Sequence, residues 1–287
     1  MTLVFAAYVP NAPFLISPDA FGGVGRDAAR SLRDLRVLER FRPDVVVVSS
    51  PHWVTADGFR VNIDPHPRQV YDFSGFPPAL SEVRYAPPGS PPLAARLVES
   101  GERTGIRVEG TTEWGLDHGA WAPLMHLVPG ARVPVVPVSI RPDDPALHVR
   151  WGASMRSVLE DPELRAVFVA TGSILHNFGR MGQDPHAPWP EGERIEAEIV
   201  DRVLALDPPG LAAFDRRKWR LAQPEGDLGP LFTLLGVVGE TVRGRRVSSE
   251  LSFGAFSLTT SEFVPRSAAG VRAPGPGVAR TEENLSG

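Results

Sequence analysis

Three histidines follow apolar runs or open a helix in short polar stretches: His52 in "SSPHW", His118 in "GLDHGAW" and His176 in "ATGSILHN". A fourth stretch, "QPEGD", sets Glu225 and Asp227 ahead of an apolar segment. An imidazole titrates near neutral pH and, when neutral, ligates metals, so such residues serve as acid/base groups or as ligands. Two histidines and one carboxylate around an open coordination face suit non-haem Fe(II) and O2, and the same donors suit hydrolysis at Zn(II). The chain has no cysteine, which removes thiolate nucleophiles and leaves any metal to nitrogen and oxygen ligands. Its single lysine, Lys218, gives Schiff-base and phosphate-loop chemistry little to work with. No G-x-S-x-G elbow supports a serine hydrolase.

Each of these residues also has a structural reading. His52 alone could cap a strand end. Asp117 is as well placed to cap a helix starting near Gly119 as to orient His118, and either Glu225 or Asp227 could cap the apolar helix that follows. His66, His126, His148 and His186 read as exposed or as packing histidines, and only His66 and His186 lie in loops able to reach a site. Asn11, between Pro10 and Pro13, is a lone amide at the tip of the first apolar run.

The elements that must position these groups alternate between strand and helix. "RDAARSLRDLRVLERF" (26–41) has helical spacing, "PDVVVVSS" (43–50) is a doubly buried strand, and "PPLAARLVES" is a helix. Then follow a strand at 131–140, the helix "PALHVRWGASMRSVLE", a strand at 165–173, the helix "GERIEAEIVDRVLAL", the apolar "LGPLFTLLGVVG" and a late strand "FGAFSLTTSEFV". This alternation predicts an α/β fold, a single domain over residues 1–265 with a central sheet flanked by helices on both faces. Ligands of such sheets bind beyond the carboxyl ends of the strands, where the candidate residues cluster. Residues 64–92 are too rich in proline for regular elements and too aromatic for a linker, which marks an ordered, functional loop. The tail 266–287 has the small and polar composition of a disordered end.

A net charge of −4 gives no basic face for nucleic acid. The longest apolar runs fall well short of the roughly 20 residues of a membrane span, and the first residues lack a signal-peptide pattern. A cytoplasmic protein without membrane contact is expected.

In chain order, "SSPHW", "YDFSGFPPALSEVRYAPPGSPPLA", "GLDHGAW" and "ATGSILHN" resemble motifs of the class III extradiol ring-cleavage dioxygenases, the LigB-like superfamily. The resemblance is greatest to the 4,5-DOPA dioxygenase type and extends from about residue 4 to about residue 264. It implies an Fe(II)- and O2-dependent enzyme, with Zn(II) as the other metal found in such sites, that opens a catechol-like or aminophenol-like ring to a semialdehyde. It also implies a small aromatic substrate and assembly into a homo-oligomer, or a hetero-oligomer with a homologous subunit. Carried over by residue, His52 falls on a metal ligand, His176 on a histidine that is ligand or acid/base group, and His118 on an acid/base histidine near the substrate. Asn11, Trp53, Tyr71 and Asn177 fall at the substrate pocket. Arg68 and Arg84 flank the proline-rich loop, where a substrate carboxylate or, more commonly, solvent takes a guanidinium.

Two positions depart from the family pattern. Asn11 stands where relatives place their first ligand histidine, and "PEGD" stands where nearby relatives read P-E-H. The metal set implied is therefore His52, His176 and Glu225, with Asp227 as the alternative carboxylate. A neutral amide is a weaker donor than an imidazole, so Asn11 belongs beside the metal rather than on it, and activity depends on whether the reduced set still holds metal.

Overall fold

Along β1 (Leu3–Val9) the side chains enter two different cores by turns, Ala6 and Tyr8 on one side and Phe5, Ala7 and Val9 on the other. In β2 (Val45–Val54), Val45 and Val47 face the first core, and Val46 and Val48 face the second. A strand with both faces buried must read as a continuous apolar run, and "DVVVV" does so for that reason. The computed structural model describes residues 3–142 and 144–266. The region 267–287, assigned to a disordered tail on composition, lies outside the described residues.

The chain continues through β3 (Phe59–Asn62), β4 (Val108–Thr111), β5 (Val135–Ile140), β6 (Ala166–Thr171), β7 (Val242–Ser248), β8 (Leu251–Ser252), β9 (Phe256–Ser257) and β10 (Thr260–Pro265). Among the described residues, eight strands form one mixed sheet in the order β4-β3-β5-β2-β6-β1-β10-β7, while β8 and β9 form a small hairpin. The centre of the sheet is parallel: β6 pairs with both β1 and β2, and β2 pairs with β5. The antiparallel β10 and β7 extend it at one side.

The helices are α1 (Arg26–Asp34), α2 (Val37–Phe41), α3 (Pro91–Arg103), α4 (His118–Leu127), α5 (Pro145–Leu159), α6 (Pro190–Leu204), α7 (Pro208–Ala212), α8 (Arg216–Ala222) and α9 (Gly229–Val238). Apolar residues of α1, α2 and α4 fill the core on one face of the sheet, and those of α3, α5, α6 and α9 fill the core on the other. The α/β domain with helices on both faces is thus as the alternation predicts. Helices α5 and α9 approach closely through Gly152 and Gly236, where a Cβ on Gly236 would lie 2.1 Å from the Val149 carbonyl oxygen. No helix among the described residues is long and apolar enough to cross a membrane.

The expected helix over 26–41 is broken, with Arg36 in the left-handed region at φ 50°. Leu35 and Val37 are both buried. Residues two apart do not share a helix face, so the break turns both toward the sheet. The late strand likewise divides into β9 and β10. Strands β3, β4 and β7 had no clear signature: two are four residues long, and β7 is an edge strand carrying Arg243, Arg245 and Arg246. An arginine-rich edge suits water and deters pairing with other chains.

Candidate active site

Asn11, His52 and Ser173 leave the carboxyl ends of β1, β2 and β6, three neighbouring strands at the centre of the sheet. A cleft of about 620 Å3 opens above these ends, and Asn11, His52, Asp72, His118, His176 and Glu225 supply its polar lining. Glu225 is delivered by a tight turn in which Gly226, Asp227 and Leu228 all have positive φ. The left-handed region is costly for a residue such as leucine, so this turn is held by its surroundings. A two-way link between Glu225 and Ser173 holds the carboxylate: the Glu225 N–H donates to the Ser173 carbonyl at 3.0 Å, and the Ser173 N–H donates to Oε2 at 3.1 Å.

The other oxygen, Oε1, is the meeting point of the site. His52 Nε2 lies 2.8 Å from it, the Asn11 amide donates to it at 3.1 Å, and His176 Nε2 stands 4.0 Å away. On its other side, His52 Nδ1 lies 2.7 Å from Asp72 Oδ2. Burial opposes protonation of His52, but the bonds to Asp72 and Glu225 outweigh it and push its pKa up to about 10. Burial also opposes ionisation of Glu225, yet the hydrogen bond from His52 and the nearby His176 hold its carboxyl below the usual range. His176, half-buried and without a hydrogen-bonded carboxylate, has its pKa lowered chiefly by burial, which favours the neutral imidazole.

Asp72 was not singled out by its residue type in the sequence, although it lies in the loop marked as functional. Its Oδ1 accepts both the backbone N–H and the Nδ1–H of His118, each at 2.8 Å, while Oδ2 serves His52. Burial works against its ionisation, but the two histidines win and hold the carboxyl well below its ordinary value. Ligand atoms of His52, Asp72 and His118 lie within 4.8 Å of one another, a grouping that could itself hold a cation. A carboxylate alternating with two histidines more commonly fixes their tautomers and leaves the outward nitrogens for chemistry.

The loop reaches this position without regular structure. A short parallel bridge joins Gln69 to Leu116, and the Trp121 indole donates to the Val70 carbonyl. Gln69 and Tyr71 side chains both donate to the Val83 carbonyl. These bonds satisfy backbone groups that a strand ladder would otherwise take. Helix α4 begins beside the loop, and the capping question resolves for Asp117: its Oδ1 accepts the Ala120 N–H at 3.0 Å and the Ser50 hydroxyl at 2.7 Å, while Oδ2 accepts the Trp114 indole. Gly119 allows this approach, since a Cβ there would lie 2.5 Å from Ser50 Oγ.

Of the residues expected at the site, Asn11, His52, His118, His176 and Glu225 line the cleft. The others are directed elsewhere. Asp227 accepts the Trp219 indole at 3.1 Å and lines a separate cavity, so of the two carboxylates of "PEGD" Glu225 is the one that lines this cleft. Tyr71 braces the loop, Trp53 is buried, and the Asn177 amide donates to the Leu221 carbonyl at 2.8 Å. His126 and His148 are packing histidines bonded to Leu15 and to Arg141 and Thr233, whereas His66 and His186 are exposed.

Residues 27–258 match the family described as "Catalytic LigB subunit of aromatic ring-opening dioxygenase". The chain is 36% identical over 202 residues to "4,5-DOPA dioxygenase extradiol" of Escherichia coli K12, covering 68% of this chain and 73% of that one. It is 27% identical over 229 residues to the protein of the same name from Mirabilis jalapa, covering 78% and 84%. A crystal structure of an uncharacterized Escherichia coli K12 protein superposes with a TM-score of 0.71 at 23% identity, covering 90% of this chain and 99% of that one, which supports the shared fold.

Proposed function

The chain belongs to the LigB family of aromatic ring-opening dioxygenases, and from that premise we propose that it is an extradiol dioxygenase that opens a catechol-like or aminophenol-like ring to a semialdehyde. The observation that carries the reading is the convergence of two imidazole nitrogens on one carboxylate oxygen, His52 Nε2 at 2.8 Å and His176 Nε2 at 4.0 Å from Glu225 Oε1, on the floor of an open cleft. This nitrogen and oxygen donor set fits Fe(II), and also Zn(II), with Asn11 beside it as a hydrogen-bond partner. When bound, Fe(II) would supply the site for activating O2 and the vicinal oxygens of the substrate.

The remaining work falls to the protein. Asp72 takes the Nδ1–H of His118, which leaves Nε2 as the acceptor for a catechol hydroxyl proton. The same nitrogen can return that proton to an oxygen released on ring opening. His52 is held on one side by Asp72, so its ring orientation is set before any ligand arrives. Phe73 stands edge-on to His118 at 5.2 Å between ring centres and limits water beside the base.

Anaerobic loading with Fe(II), followed by a catechol and air, should consume O2 and form a yellow ring-opened product. Iron-loaded protein that does neither would overturn the proposal. A second reading, a metal-poor member turned to other work, draws on Asn11: its amide donates to Glu225, and the His52 contacts close the donor set by hydrogen bonds alone. Metal content of the protein as purified separates the two.

A further inference from the structure

A catechol substrate presents its diol to the polar floor of the cleft and its substituent to the rest, so the walls determine which substituent is accepted. Five phenylalanines, Phe14, Phe21, Phe73, Phe76 and Phe253, form one wall. Phe14 is the hub, with ring centres 5.3 Å from Phe21, 6.5 Å from Phe76 and 5.4 Å from Phe253. Phe178 and Phe256, 5.0 Å apart, add a second aromatic pair beside His176. Phe178 and Met181, 64% and 55% exposed, carry the apolar lining out to the rim.

The carboxylates of the cleft, Asp72 and Glu225, lie on the floor with His52 held between them, and among the described residues no lysine or arginine lines it. Both arginines near the loop are engaged elsewhere: Arg68 donates to the Glu113 carbonyl, and Arg84 donates to the Tyr71 hydroxyl and lies over the Tyr71 ring. A carboxylate on the substituent, turned away from the floor, would therefore lose its hydration without gaining a cation, a costly exchange. The volume of about 620 Å3 also exceeds the roughly 150 Å3 that holds one benzene ring.

We propose that the substrate is a catechol-type ring with an uncharged, apolar substituent of about the size of a second ring, and that catechols with a carboxylate or amino-acid side chain are disfavoured. This rests on the dioxygenase reading of the site, but it concerns the walls and can be tested by binding alone.

Calorimetric titration under anaerobic conditions, with protein as purified and again with Zn(II), would compare 4-phenylcatechol with 3,4-dihydroxybenzoate and DOPA. The neutral biaryl should bind at least tenfold tighter than either charged compound, and equal or weaker binding of the biaryl overturns the proposal. Phe178→Arg, at an exposed position, should narrow that gap at least threefold by supplying the absent cation, and an unchanged ratio counts against the wall assignment. Biaryl preference without ring opening by iron-loaded protein would sink the dioxygenase reading alone. Ring opening that favours the carboxylated catechols would sink the substrate inference alone.

Discussion

The side-chain amide of Asn11 donates to Glu225 Oε1 at 3.1 Å. It thus places a proton where a ligand at the same position would present a lone pair. An amide N–H satisfies the carboxylate but offers nothing to a cation. Asn11→His should therefore raise affinity for Fe(II) or Zn(II) by about tenfold or more, the scale on which a group next to a metal acts. Competition against a chromogenic chelator measures it, and unchanged affinity would show that a side chain at position 11 does not reach the metal.

Asp72 is the only carboxylate that the described residues bring to both His52 and His118. Asp72→Asn keeps the volume but cannot accept from all three N–H groups as a charged carboxylate does. We expect kcat/KM to fall about 10- to 100-fold with metal affinity reduced, as when partners of ligand histidines are removed. Unfolding by urea should shift as well, because charged bonds to both histidines are weakened, but the protein that remains folded should carry the catalytic defect. A loss of stability with catalysis intact in the folded fraction would instead make Asp72 a brace for the loop.

Asp117 serves stability rather than chemistry. Asp117→Ala removes the N-cap of α4 and strands the Ser50 hydroxyl and Trp114 indole in a buried place. A lost cap and unsatisfied buried donors together should cost about 2–4 kcal/mol. Asp117→Asn, which can still accept from Ala120, should cost less. Equal losses in the two variants, measured by chemical denaturation, would show that the charge and not the cap is what matters.

The parallel core was legible because doubly buried strands such as 45–48 are apolar without interruption and their helices have clear periodicity. The broken helix at Arg36 was not, since no proline or glycine marks it and the burial of both Leu35 and Val37 emerges only in the fold. At the site, His52, His118, His176 and Glu225 could be found because they stand at the ends of strands and helices in short polar motifs. Asp72 could not be found by residue type, since it sits in a loop ordered by side-chain bonds to Val83 and Val70 rather than by any periodic pattern. Its signal was a carboxylate between two aromatics, "YDF", inside a proline-rich loop. Trp53, Tyr71 and Asn177 border functional motifs in sequence, but adjacent residues of an extended chain point to opposite sides. Proximity in sequence therefore misplaced them.

His148, on the far face of the sheet from the α4 cluster, gives a test of pH dependence apart from the site. Its Nε2 lies 3.0 Å from the Arg141 carbonyl oxygen and its Nδ1 2.8 Å from the hydroxyl of Thr233, which itself donates to the Gly229 carbonyl at 3.0 Å. Burial lowers its pKa, and the carbonyl of Arg141 and the carboxylate of Asp144 only partly offset this against the nearby Arg141 charge. The unfolded chain, with an ordinary imidazole pKa of about 6.5, therefore binds the proton more readily than the folded one. Its stabilising contribution is fully present above about pH 6.5 and is lost as pH falls through the lower folded value. His148→Gln should be less stable than the parent protein at pH 7.5, and the difference should shrink steadily toward pH 5. Denaturation midpoints that fall in parallel for the two proteins across this range would show that His148 takes up its proton as easily inside the fold as outside it.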